Sequence, residues 1–215
     1  MTVSDIAANA CLRFVRQDAA TVTLAKAYVR QRDAMLWDAH NWRQALTTLT
    51  LAVAAGTAEL ALGTGIERPL AVRWGTRMLD GIDHGTAMRL APETFDTAGD
   101  PIAYIELPRD TTNGARIRLS QVPQETGTLL VLAKRRWPGL PDDSSEPLIA
   151  GIASALMAYA LGDLWSYEGQ ETKATAKYNE ANQLAERILE AEQNAGGVRT
   201  RLIPDTGIAD NLRVW

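Results

Sequence analysis

Few side chains in this 215-residue chain stand in arrangements that could do chemistry. His40 in "DAHNWR" lies near a predicted helix end and reads as a surface or capping residue. His84 in "GIDHGT" follows Asp83 beside a glycine, and could put an imidazole in a pocket, although turn chemistry explains the same composition. Neither histidine has a Cys-x-x-Cys or His-Glu-x-x-His partner, so no metal site is expected. "GTGIER" at 63–68 lacks the third glycine of a dinucleotide fingerprint and the Lys-Ser/Thr of a phosphate loop, and is a turn. The acids of "DDSSE" at 142–146 could hold a divalent cation through oxygen, but their spacing is not that of an EF-hand. Acids at a solvated helix start, near the positive end of the dipole, account for them better. No nucleophile stands with a base. The expectation is no active site, no cofactor and no metal.

One run remains. Lys134, Arg135 and Arg136 precede Trp137, and cations beside an aromatic can hold a phosphate while a base stacks. The same cluster on an edge strand blocks unwanted pairing. Edge protection, subunit contact and nucleic-acid contact are therefore all open for these residues. The net charge of -4 argues against a sequence-independent nucleic-acid binder, which needs surplus Lys and Arg to displace counterions. Such a surface would leave a passing duplex mobile.

These residues need a scaffold, and 215 residues with 46% hydrophobic content can bury a core without staples. The lone Cys11 cannot form an internal disulfide and fits a buried position in a helix. No run reaches the ~18 apolar residues of a membrane span, and "MTVSDIAANA" lacks the look of a signal peptide. A soluble protein from a reducing compartment is expected.

Proline partitions the chain. None precedes Pro69, seven lie from Pro69 to Pro141, and only Pro147 and Pro204 follow. Turns and strands are thus expected in the middle third and helices on the flanks. The spacing predicts a helix over about 4–16 with Ser4 as cap, and a long one over 20–46 with Leu24, Tyr28, Gln31, Met35, Ala39, Trp42 and Leu46 on one face and Asp33 pointing elsewhere. From Thr47 the period becomes two: "TLTLAV" and "AELAL" around a Gly56 turn, then "PLAVRW", "ARIRLS", and a strand pair joined by a proline turn in "SQVPQETGTLLVLAKRR". Residues 79–101 are Gly and Asp rich and read as loop with at most a short helix. Helices return at 148–165, capped by Ser144 or Ser145 and apolar almost all round, and at 171–193 with Gly196 or Gly197 as C-cap.

The expected fold is α+β: a helical bundle of about four helices, split two and two over 1–46 and 146–195, with a β-rich lobe inserted at 47–145 and an extended C-terminal tail at 196–215. That tail carries Arg199, Arg201, Leu202, Ile203, Pro204, Leu212 and Trp215. Apolar side chains on a segment outside the bundle gain roughly 25 cal/mol per Å² when covered, against an ordering cost of about 1 to 2 kcal/mol per residue. Such a contact is marginal alone and multiplies if it repeats around a ring.

In order, "LWDAHNWRQAL", "PLAVRW", "GDPIAYIEL", the "IRLSQVPQETGTLLVLAKRR" hairpin, "PDDSSEPLI" and "ALMAYALGDLW" before a long final helix resemble the head-to-tail adaptor proteins of tailed bacteriophages, including the tail tubular or gatekeeper group. The resemblance covers most of residues 1–205. It implies a structural virion protein of the neck, made in the bacterial cytoplasm, that forms a ring, usually twelve-fold, below the portal. Such a ring extends the DNA channel toward a downstream tail or nozzle protein, with passing double-stranded DNA unbound and no membrane contact. It also implies that the tail residues named above bind the portal or a neighbouring subunit. Two other readings stay open: a small cytoplasmic helical enzyme or regulator with a pocket around Asp80–Arg89 of the β lobe, and a different interaction module such as a capsid accessory or assembly factor.

Overall fold

The computed structural model describes residues 1–89 and 97–195. The tail residues Arg199, Arg201, Leu202, Ile203, Pro204, Leu212 and Trp215, and the C-cap expected at Gly196 or Gly197, lie outside the described residues. The fold is α+β. Its helices are α1 (Val3–Phe14), α2 (Ala19–Ala39), α3 (His84–Arg89), α4 (Ala153–Tyr167) and α5 (Glu171–Ala195). Its strands are β1 (Leu46–Val53), β2 (Glu59–Gly63), β3 (Ile66–Trp74), β4 (Arg77–Ile82), β5 (Ala103–Asp110), β6 (Gly114–Leu119) and β7 (Gly127–Arg135). Two compact units emerge: one of Met1–Gln44 with the described residues from Trp137 onward, the other of Ala45–Arg136.

In the helical unit α4 packs against α1, α2 and α5. Its apolar composition suits that place, with Leu156, Leu161 and Leu164 buried on different sides. Cys11 is buried, as its sequence setting suggests. Phe14 at the end of α1 meets Trp165 edge-on, ring centroids 4.6 Å apart.

Four sequence expectations change here. Thr2, not Ser4, caps α1, in a reciprocal box with Asp5. Helix α2 stops at Ala39 rather than 46, because Trp42 folds back and its indole N–H donates to the Leu36 carbonyl at 2.6 Å, satisfying a group the helix end leaves open. The buried stripe of α2 runs through Ala25, Val29, Asp33, Leu36 and Trp37, one position off the predicted face, so Gln31 and Met35 are exposed and Asp33 is inside. The return helix starts at Ala153, not 148, since Gly151 has φ +77°, outside the helical region. Ser145 caps a turn instead, its hydroxyl accepting from the Asp142 N–H at 3.1 Å.

The β unit is one seven-stranded sheet in the order β1-β7-β3-β4-β5-β6-β2. Among the described strands β4 and β5 pair in parallel and the other pairs are antiparallel. The edge strands β1 and β2 are consecutive in the chain, joined by residues 54–58, which extend to about 20 Å at most. Seven flat strands would hold the edges roughly 29 Å apart. The sheet therefore curls until it is nearly closed, and Val53, Leu62, Val72, Ile117, Leu129 and Val131 meet in one core inside it.

Two expectations are corrected in this unit. Residues 120–126 do not close a hairpin: β6 pairs with β5 and β2, β7 with β1 and β3. A seven-residue link with a proline is long enough to cross the core, and each strand gains two neighbours where a terminal hairpin offers one. Arg77–Ile82, partly read as loop, is strand β4, whose alternation was hidden because Leu79 is its one buried position. The short helix allowed in that stretch is α3.

Candidate interaction surface

Arg32 on α2 and Asp163 on α4 are tied by two hydrogen bonds. The guanidinium donates from Nε at 2.9 Å and from a terminal nitrogen at 2.5 Å, a two-pronged contact that fixes angle as well as distance. Tyr178 of α5 donates its hydroxyl to the same carboxylate at 2.9 Å, and the Tyr159 hydroxyl donates to Asn182 at 2.5 Å. The guanidinium carbon lies 5.2 Å and 5.1 Å from the ring centres of Tyr159 and Tyr178. Hydrogen bonds from the guanidinium to Asp163 hold the Arg32 pKa above its ordinary value. Three helices are locked by one polar cluster. Sequence reasoning passed over it, though a signal existed: Asp163 is the single charged residue in the apolar run 148–165, and a mostly buried carboxylate requires a partner.

The acidic turn at 142–146 is a second brace. Carbonyls of Ser145 and Asp143 accept from the first amides of α1, Val3 at 2.9 Å and Ser4 at 3.0 Å. The Asp143 carboxylate takes Lys26 and Arg30 of α2, both at 2.7 Å, and these hydrogen bonds draw its pKa below the ordinary carboxylate value. The expected helix start is thus a loop that ties α1 to α2.

The basic run divides. Lys134 is 0% exposed and sits 3.5 Å from Glu67, whereas Arg135 and Arg136 are on the surface. Strand β7 lies between β1 and β3, so the run does not protect a sheet edge. Trp137 belongs to the helical unit, where its indole donates to the buried Asp33 at 2.8 Å. Burial raises the Asp33 pKa, and the Trp137 bond opposes the shift.

Of the residues considered for a pocket, Asp83 is engaged locally: its carboxylate accepts from the Thr86 amide at 2.9 Å and from the Thr86 hydroxyl, bonds that lower its pKa. It caps the start of α3. The His84 side chain lies outside the described residues. His40 is the C-cap residue of α2, its ring edge-on to Trp42 at 5.4 Å.

An open groove of about 480 Å³ lies between the loop before α4 and the last turns of α5. Ala150, Leu184, Arg187, Ile188, Ala191 and Glu192 are among the residues that line it. One Glu192 oxygen accepts from the Arg43 amide at 3.1 Å. The other is buried and has no hydrogen-bond partner among the described residues. Nothing periodic in the sequence marks this groove, because small residues in a loop form it as much as the helix does.

The helical unit thus combines helices held in register by polar contacts with a largely apolar groove that contains one unsatisfied acceptor. No curated protein matches the chain. Compared with protein families, residues 1–201 match the SU10 adaptor protein. That span takes in both compact units, and the order of elements that resembled a head-to-tail adaptor in the sequence leads to the same place: the chain belongs to the SU10 adaptor protein family and has the role of a structural connector in a phage.

Proposed function

We propose that this protein forms a ring below the portal of a filled phage head, joins the head to the next tail or nozzle component, and prolongs the DNA channel. Twelve copies are what the resemblance to head-to-tail adaptors implies for such a ring. The helices act as one bundle forming the wall, the β unit serves as its inserted lobe, and residues 199–215 reach the portal or a neighbouring copy. The protein resides in the virion neck and performs no catalysis. Its net charge of -4 keeps the duplex mobile as it passes.

The observation that carries this reading is the family match over residues 1–201, which spans helical and β units together. The Arg32–Asp163 lock supports it, since a ring wall must keep its helices in fixed register under load. The experiment is cosedimentation of full-length protein with purified portal complexes, beside a chain ending at residue 197. Full-length protein is expected to sediment with portal, and the shortened one to lose most of that binding while its helical circular dichroism is kept. Failure of the full chain to sediment contradicts the connector assignment. Equal binding by both contradicts only the role of the tail.

A further inference from the structure

The groove on the helical unit has three properties that together specify an occupant. Its floor is apolar, through Ala150, Leu184, Ile188 and Ala191. Glu192 lines the groove, and one of that carboxylate's oxygens is buried and lacks a donor among the described residues. It also stands one helical turn before Ala195, the last described residue, beyond which twenty residues follow. An extended apolar segment bearing a cation satisfies the first two properties.

Residues 199–204 have the composition for it. Arg199 and Arg201 are followed by Leu202, Ile203 and Pro204. The spacing fits. Along α5, Ile188 and Leu184 lie about 6 and 12 Å from Glu192, at 1.5 Å per residue. In an extended chain Leu202 and Ile203 lie about 10 and 13 Å from Arg199, at ~3.3 Å per residue. An arginine set against Glu192 therefore carries Ile203, which points to the same side of an extended chain as Arg199 and Arg201, to the apolar floor. Twenty extended residues reach about 65 Å, beyond the roughly 38 Å length of α5 itself, so the segment can reach another copy.

We infer that the groove of one copy receives residues 199–204 of the next copy, with an arginine supplying the donor that Glu192 lacks. This rests on the ring proposed above and gives it a specific contact. The contact is head-to-tail, using different patches on the two copies, which is the kind that closes into rings. The proximal part of the tail then joins neighbours, and Leu212 to Trp215 remain for the portal.

The test uses the full-length chain with a photo-crosslinking amino acid at Ile203. Equal parts of ¹⁴N and ¹⁵N protein are assembled on portal complexes, irradiated and mapped by mass spectrometry. The expected adducts join position 203 to residues 184–192, about half of them mixed in isotope. Glu192→Lys is expected to cut their yield about tenfold, in line with loss of a charge-assisted bond, and Arg199→Glu with Arg201→Glu to restore it. Adducts of one isotope only place the segment in its own groove and overturn the inference. So do adducts to portal alone, or a complete ring with no groove adduct, and in those three cases the ring reading stands. No assembly on portal at all overturns both.

Discussion

Arg32 on α2 and Asp163 on α4, 131 residues apart in the chain, meet through two parallel hydrogen bonds at 2.9 and 2.5 Å. The Asp163 side chain is 11% exposed, so removing its partner leaves a nearly buried charge. Arg32→Met is expected to cost about 3 kcal/mol, the range for breaking a buried pair. Adding Asp163→Leu should return much of that loss, because the stranded charge is then gone. Urea melts of the two single variants and the double variant measure the coupling. Additive losses contradict it.

Asp33 gives a pH signature. Its pKa is raised by burial, so the folded state holds this proton more tightly than the unfolded chain does. For a raised carboxylate, stability falls as pH climbs from the unfolded value near 3.9 through the folded one, and stays lower above it. Asp33→Asn keeps an oxygen for the Trp137 indole and removes the charge. It should gain Tm relative to the parent at pH 7 and lose that advantage at pH 3.5. Asp33→Ala should instead cost about 1 to 3 kcal/mol, since the indole N–H loses its acceptor. Thermal melts across pH separate these outcomes, and an Asn variant that melts lower at pH 7 contradicts the burial effect.

Gly114 opens β6 with φ +70°, and a Cβ there would stand 2.3 Å from the Gly63 carbonyl oxygen, which belongs to the backbone of the neighbouring strand. The neighbour cannot step aside as a flexible side chain could. Gly114→Ala is expected to destabilise by about 2 kcal/mol or more, combining left-handed strain with a displaced bulge. Alanine at Gly139, also at positive φ (+86°) but with nothing within 4 Å, should cost less. Denaturant midpoints of the two variants give the ordering. A reversed order contradicts the close approach.

Much of the architecture was legible, and the misses have specific causes. The α+β class followed from proline placement and a change of period at Thr47. The last helix, with Ala174, Ala181 and Ala185 inside, matches its apolar spacing. Helix ends were legible only in part, because Trp42 fits a helical stripe equally well when it folds back onto Leu36. Strand partners were not legible: alternation fixes which face of β6 and β7 is buried, but says nothing about whether the two strands are neighbours. The buried place of Asp33 was hidden because its partner, Trp137, lies 104 residues away. The Glu192 groove depends on where a loop packs, which no local pattern records.

The most direct measurement is an electron-microscopic reconstruction of purified portal complexes after incubation with the full-length chain. A closed ring of this protein seated on the portal, coaxial with the channel and with density from its C-terminal segment on a foreign chain, is the expected result. Portal complexes bare of it, or single copies bound off the axis with each C-terminal segment on its own molecule, contradict the account.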